Sequence, residues 1–189
     1  MNTTILRKSV LGIAGLAFAG GVFAGPVTEA HAAPVDAKAV AVVQADKPGK
    51  SKLIPHGVQG KQSHIDVGAE QTANVKAIIA ATKKSGMDER AAVVAIATSL
   101  QESKLENLGH LGDRNDFDSQ GLFQQRPSSG WGTVEQITDP EYSTMAFLKG
   151  LKQVDGWKDM PLTEAAQTVQ VSAYPDHYAQ WEQQAADLV

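Results

Sequence analysis

The chain has 189 residues, with 17 basic and 21 acidic side chains, a formal charge of −4 and no cysteine. Disulfides, thiol nucleophiles and cysteine metal ligands are therefore excluded, and the weakly acidic balance argues against nucleic-acid binding driven by charge. An apolar content of 42% suffices for one domain of ordinary size with a packed core.

The N-terminal segment reads as an export signal. Arg7 and Lys8 precede a mostly apolar stretch over 10–24, and Ala30-His31-Ala32 supplies the small-x-small pattern of a signal peptidase site, which places cleavage after Ala32. The apolar stretch is shorter than the ~20 residues that span a bilayer, and Gly12, Gly15, Gly20 and Gly21 interrupt it, so a removed signal is favoured over a retained anchor. The expected organisation is a signal peptide over 1–32, a flexible linker over 33–69 and a folded domain over 70–189. Breakers at Pro34, Pro48, Gly49, Pro55, Gly57 and Gly60 and the scarcity of large side chains underlie the linker.

Within the domain, Val75, Ile78 and Ile79 fall at helical spacing before a stop at Ser85-Gly86. Asp88 is the expected N-cap of a second helix. Its run Ala91-Ala92-Val93-Val94-Ala95-Ile96-Ala97 is apolar on every side, which for a helix means burial in the middle of the domain. That helix ends at Gln101-Glu102-Ser103. A Gly- and Asp-rich loop over 107–120 follows, then Gly121-Leu122-Phe123-Gln124-Gln125 and a turn-rich segment, Pro127-Ser128-Ser129-Gly130-Trp131-Gly132. Further helices are expected to start at Thr133, with Gln136 completing a capping box, at Asp139 with Pro140 behind it, and at Thr163, capping a helix over 164–173. A last helix runs from about Asp176 and carries Tyr178 and Trp181. No alternating strand of useful length and no internal repeat is present, so the fold class is mainly α, with a short hairpin in the Asp-rich loop as the one β candidate.

Glu102 stands out chemically. A carboxyl group at the end of an all-apolar helix sits where desolvation favours its protonated form. Such a group can protonate the oxygen of a breaking glycosidic bond, whose alkoxide is otherwise too basic to leave. The competing reading is an ordinary acid at a frayed helix end.

The order Gln101-Glu102-Ser103, Gly121-Leu122-Phe123-Gln124 and Ser172-Ala173-Tyr174 resembles the motif set of lytic transglycosylases and goose-type lysozymes. The string Asp118-Ser119-Gln120-Gly121-Leu122-Phe123-Gln124-Gln125-Arg126-Pro127 is similar to secreted actinobacterial members in particular. The resemblance implies a lysozyme-like domain, a secreted or cell-wall-associated monomer, and peptidoglycan glycan strands as the partner. It implies no cofactor, no metal and no stable membrane insertion once the signal is removed. It also implies Glu102 as the acid, Gln124 as a polar lining of the sugar cleft, and Ser119 as a group that orients the substrate's N-acetyl. Tyr174, with Tyr178 beside it, would be the hydroxyl that positions the acid. Two departures are visible. Phe123 replaces the family's Met, and Pro175 stands where the family has Asn, which weakens the assignment of Tyr174.

Asp113, Asp116 and Asp118 are candidates for a second carboxylate. One of them at about 6.5 to 9.5 Å from the acid would suit inverting hydrolysis. Without one, the substrate's own N-acetyl oxygen can attack, and Glu102 then deprotonates the sugar's 6-hydroxyl to give an anhydro product, the route the resemblance favours. A catalytically silent wall-binding module is the rival from another class. Asp116-x-Asp118-x-Gln120-Gly121 also opens like a calcium loop, but Pro127 occupies the place of the closing Glu. Of Trp131, Trp157 and Trp181, Trp131 in its Gly-flanked loop is the best candidate for stacking on a sugar ring.

Overall fold

Helices start where an acceptor side chain takes up the first free N–H groups. Asp88 accepts from Ala91 N, Thr133 from Gln136 N and Asp139 from Tyr142 N, each as its position in the sequence predicts. The computed structural model describes residues 49–115 and 117–189. Over these residues the helices are α1 (Lys50–Leu53), α2 (Ala69–Lys84), α3 (Glu89–Ser103), α4 (Val134–Ile137), α5 (Pro140–Leu151), α6 (Leu162–Gln170) and α7 (Glu182–Leu188). Short 3₁₀ turns lie at Gly112–Arg114, Pro127–Ser129, Trp157–Asp159 and His177–Trp181. The fold is mainly α. Of the expected hairpin only one isolated antiparallel bridge forms, between Gln120 and Gln125.

The all-apolar run makes α3 the axis of the molecule. Every residue from Arg90 to Leu100 is buried, and α1, α2, α5, α6 and α7 all pack against this helix. At roughly 1.5–3 kcal/mol for each large apolar side chain taken out of water, α3 and its neighbours Ile78, Phe147, Leu148, Leu151 and Leu162 form the main apolar store of the fold. Phe123 stacks on Phe147 with ring centroids 5.1 Å apart, which ties the loop after α3 to α5.

Two expectations about element limits change. Helix α6 begins at Leu162, behind Pro161, and stops at Gln170, where Val171 adopts φ 51°. Thr163 is therefore inside the helix and its hydroxyl donates to Pro175 O rather than capping. The segment after Asp176 opens as a 3₁₀ turn and becomes α-helical only at Glu182.

The linker also needs correcting at its C-terminal end. Residues 1–48, which include the expected signal peptide and the first part of the linker, lie outside the described residues. From residue 49 onward the chain packs on the domain. Leu53 and Ile54 are buried in the core. Ser63 N donates to Gln180 O, and the backbone of Ile65 exchanges two hydrogen bonds with the side chain of Gln184. The apolar residues here are isolated among breakers and carry no period, so no pattern in the sequence announces that they are core.

Candidate active site

Glu102 sits in the last turn of α3, and the chain beyond it is held by an unusual exit. Lys104 and Leu105 both adopt left-handed backbone, with φ 58° and 63°. For side-chain-bearing residues each such conformation costs of order 1 kcal/mol. Helix α2 offsets this cost. Gln71 donates to Lys104 O, and buried Asn74 donates to Leu105 O at 2.8 Å. Lys104 folds back over the helix end, where its Nζ donates to Leu100 O at 3.0 Å and lies 4.7 Å from the Trp181 ring. Partial burial pushes its ammonium pKa down, and the charge of Glu102 opposes that shift.

Ser103 joins this helix end to the Gly-Leu-x-Gln segment. Its buried hydroxyl lies within hydrogen-bonding reach of both Ser99 O and Leu122 O, at 3.1 and 2.9 Å. Gly121 is obligatory in that segment. Its φ is 78°, and a Cβ placed there would meet Ile137 O at 2.0 Å. Gln124, two residues after Leu122, also takes a left-handed conformation, with φ 47°.

The segment and α3 form one side of a cleft of about 860 Å³, whose other side comes from residues 169–174. Glu102, Ser119, Gln124, Trp131 and Tyr174 all line it, so five of the residues singled out in the sequence meet in one cavity. Ser119 is buried and its hydroxyl accepts from Arg126 Nε at 3.0 Å. Gln124 donates to Gly121 O at 3.0 Å. Trp131 is half-buried, whereas Trp157 and Trp181 belong to the core.

Of the two tyrosines expected near the acid, Tyr178 is the one whose hydroxyl reaches it. Tyr178 is fully buried, and its hydroxyl donates to Glu102 Oε1 at 2.7 Å. Burial, followed by the charge of Glu102 and the hydrogen bond to it, pushes the phenol pKa far above its ordinary value, so Tyr178 remains a donor throughout the physiological range. Tyr174 is 62% exposed at the rim, where it stacks on His177 at 4.9 Å. It is Tyr178, not Tyr174, whose hydroxyl reaches the acid, while Tyr174 N donates to Ser172 Oγ. Pro175, in place of Asn, falls in the turn between the two tyrosines.

Gln170 is a group that no sequence signal announced. Its Nε2 donates to Glu102 Oε1 at 3.2 Å and to Phe123 O at 2.9 Å, bridging the acid to the opposite segment. Arg126, whose guanidinium lies 4.4 Å from the ring of the exposed Phe117, is a second such group at the mouth of the cleft.

Asp113 and Asp118 do not line the cleft with Glu102. Asp118 accepts from both the backbone N–H and the hydroxyl of Ser128 at 2.8 Å, and these bonds hold its carboxyl below the usual range. Its work is to close the Pro127–Ser129 turn. Asp113 is exposed in the Gly112–Arg114 turn and lines no part of the cleft. Asp116 lies outside the described residues. Among the described residues lining the cleft, Glu102 is the one carboxylate. Among the described residues no group of three His, Asp or Glu side chains could hold a metal ion, and no helix is long and apolar enough to cross a membrane.

Two predictions follow from this geometry. Tyr178→Phe keeps the packing but removes a donor from Glu102, so the rate of any reaction that uses Glu102 as its acid should fall by roughly tenfold or more through kcat with KM little changed. An unaltered kcat would show that the phenol is merely structural. Asp118→Asn should leave the rate of such a reaction within about threefold of wild type, whereas loss of a second catalytic carboxylate would cost roughly 10² or more. No family model matches the chain, and no curated protein matches it either, so the cleft is interpreted from its own geometry.

Proposed function

We propose that this protein is an exported, lysozyme-like glycosidase that cuts the bond between N-acetylmuramic acid and N-acetylglucosamine in peptidoglycan by the transglycosylase route. The observation that carries this reading is Glu102, the one carboxylate among the described residues that line a glycan-sized cleft, held by Tyr178 and Gln170 on one oxygen. The export pattern of the first 32 residues accords with a substrate outside the cell.

Glu102 works twice. In the acid form Glu102 carries one proton, while its Oε1 accepts from Tyr178 and Gln170. Glu102 gives that proton to the bridging oxygen as the bond to the muramic acid C1 breaks, and the N-acetylglucosamine hydroxyl departs. The N-acetyl carbonyl oxygen of the muramic acid forms a bond to C1 and yields a cyclic oxazolinium. The Glu102 carboxylate then removes the proton of the 6-hydroxyl, whose oxygen displaces the N-acetyl oxygen at C1. The product is an anhydro sugar, and Glu102 is protonated again. Ser119 and Gln124 offer polar contacts along the path of the glycan, and Trp131 offers a flat face to a pyranose.

That Glu102 is the one carboxylate among the described lining residues favours this route over inverting hydrolysis, which needs a second acid to activate water. The mass of the muropeptides released from purified wall tests it. Chains ending in an anhydro sugar, lighter by one water than a reducing end, are expected. Reducing ends would mean hydrolysis, and intact wall with bound protein would mean a glycan-binding module.

A further inference from the structure

A second cavity, of about 650 Å³, shares Trp131 with the cleft. Its wall is one face of α5. Tyr142, Met145, Lys149 and Lys152 follow at helical spacing, so an apolar stripe ends in two cations. Tyr142 and Met145 are 37% and 36% exposed, and Met87 extends the apolar surface. Lys84 pairs with Glu141 and Lys158 with Asp88, whereas Lys149 and Lys152 have no acidic partner among the described residues, and no acid lines the cavity. Apolar surface of this kind beside unpaired positive charge suits a ligand that is part aliphatic and bears carboxylates.

We propose that this cavity receives the acidic peptide stem of the peptidoglycan strand, with its backbone and methyl groups over Met145, Tyr142 and Trp131 and its carboxylates on Lys149 and Lys152. The inference rests on the glycan reading of the cleft. Stems branch from the lactyl carboxyl of each muramic acid, so a strand lying in the cleft presents a stem at its flank, and Trp131 is the wall common to both cavities. The enzyme would then read both the sugar and the state of its peptide.

The test uses N-acetylmuramoyl-L-alanyl-D-glutamate, which has no glycosidic bond to cleave, and its diamide, which lacks both carboxylates. Titration followed by NMR should shift the Trp131 indole N–H and the α5 amides. The diamide should bind about five- to tenfold more weakly, and the difference should shrink as salt is raised. The double variant Lys149→Glu, Lys152→Glu, whose fold a thermal melt confirms, should bind the diacid no better than the diamide. It should cut glycan strands stripped of peptide at the wild-type rate. Equal affinity of wild type and variant for the diacid, or no binding of either probe to wild type, would overturn the proposal. The glycosidase reading fails separately, if wild type releases no muropeptide from wall while still binding the diacid.

Discussion

Glu102→Gln should abolish clearing of a cell-wall suspension, with a loss of about 10³-fold or more and no comparable loss of binding to the same walls. The substitution is nearly isosteric. An amide oxygen can still accept from Tyr178 and Gln170, so α3 and the cleft keep their shape. What disappears is a proton that can be given and taken back. In the proposed route the same group is acid in the first half of the reaction and base in the second, and no other carboxylate among the described cleft residues stands ready to take over either half. The outcome is read from turbidity and from pelleting with insoluble wall. Clearing that survives the change would mean that another group carries the proton. Loss of binding along with clearing would mean that the variant cleft has collapsed, and a thermal melt would show it.

The second large effect concerns stability. Arg90 and Glu182 are 4% and 3% exposed and face each other at 2.7 Å, and the Arg90 guanidinium also donates to Leu53 O and Met160 O. One buried side chain thereby joins α1, α3, the turn after Trp157 and α7. Removing one partner leaves the other charge stranded in the interior, which costs about 3–5 kcal/mol. Glu182→Gln should therefore lower the unfolding free energy by about 3 kcal/mol in urea titrations and the melting temperature by roughly 10 °C. The double change Arg90→Met, Glu182→Leu should recover much of that loss, because apolar groups of similar volume do not pay for desolvation. A single variant within about 1 kcal/mol of wild type would show that water reaches the pair.

The central helix was legible in the sequence because burial on all sides leaves an uninterrupted apolar run, and Asp88, Thr133 and Asp139 were legible as caps because capping is a local event. Glu102, Ser119, Gln124 and Trp131 were legible as neighbours only through the order of their motifs, since nothing in a one-dimensional string places residues 17 or more positions apart in the same cavity. Three features were not legible. Leu53 and Ile54 enter the core singly, without period. Gln170 reaches Glu102 because α6 stops at a left-handed Val171, a residue type that seldom marks a helix end. The choice between Tyr174 and Tyr178 depends on which side of a turn faces inward, and the turn carries the resemblance to the family's motif while the residue beyond it does the work.

The arrangement of donors around Glu102 also bears on how the protein is made. The hydroxyl that holds the acid lies 76 positions further along the chain, and the counter-charge of Arg90 lies 92 positions beyond it. A polypeptide emerges N-terminus first, from the ribosome or across a membrane, so α3 with its acid is delivered long before either partner. During that interval an apolar helix and a buried arginine have nothing to close on. By that order Glu102 and Arg90 gain these partners only once the segment from Gln170 to Glu182 has followed.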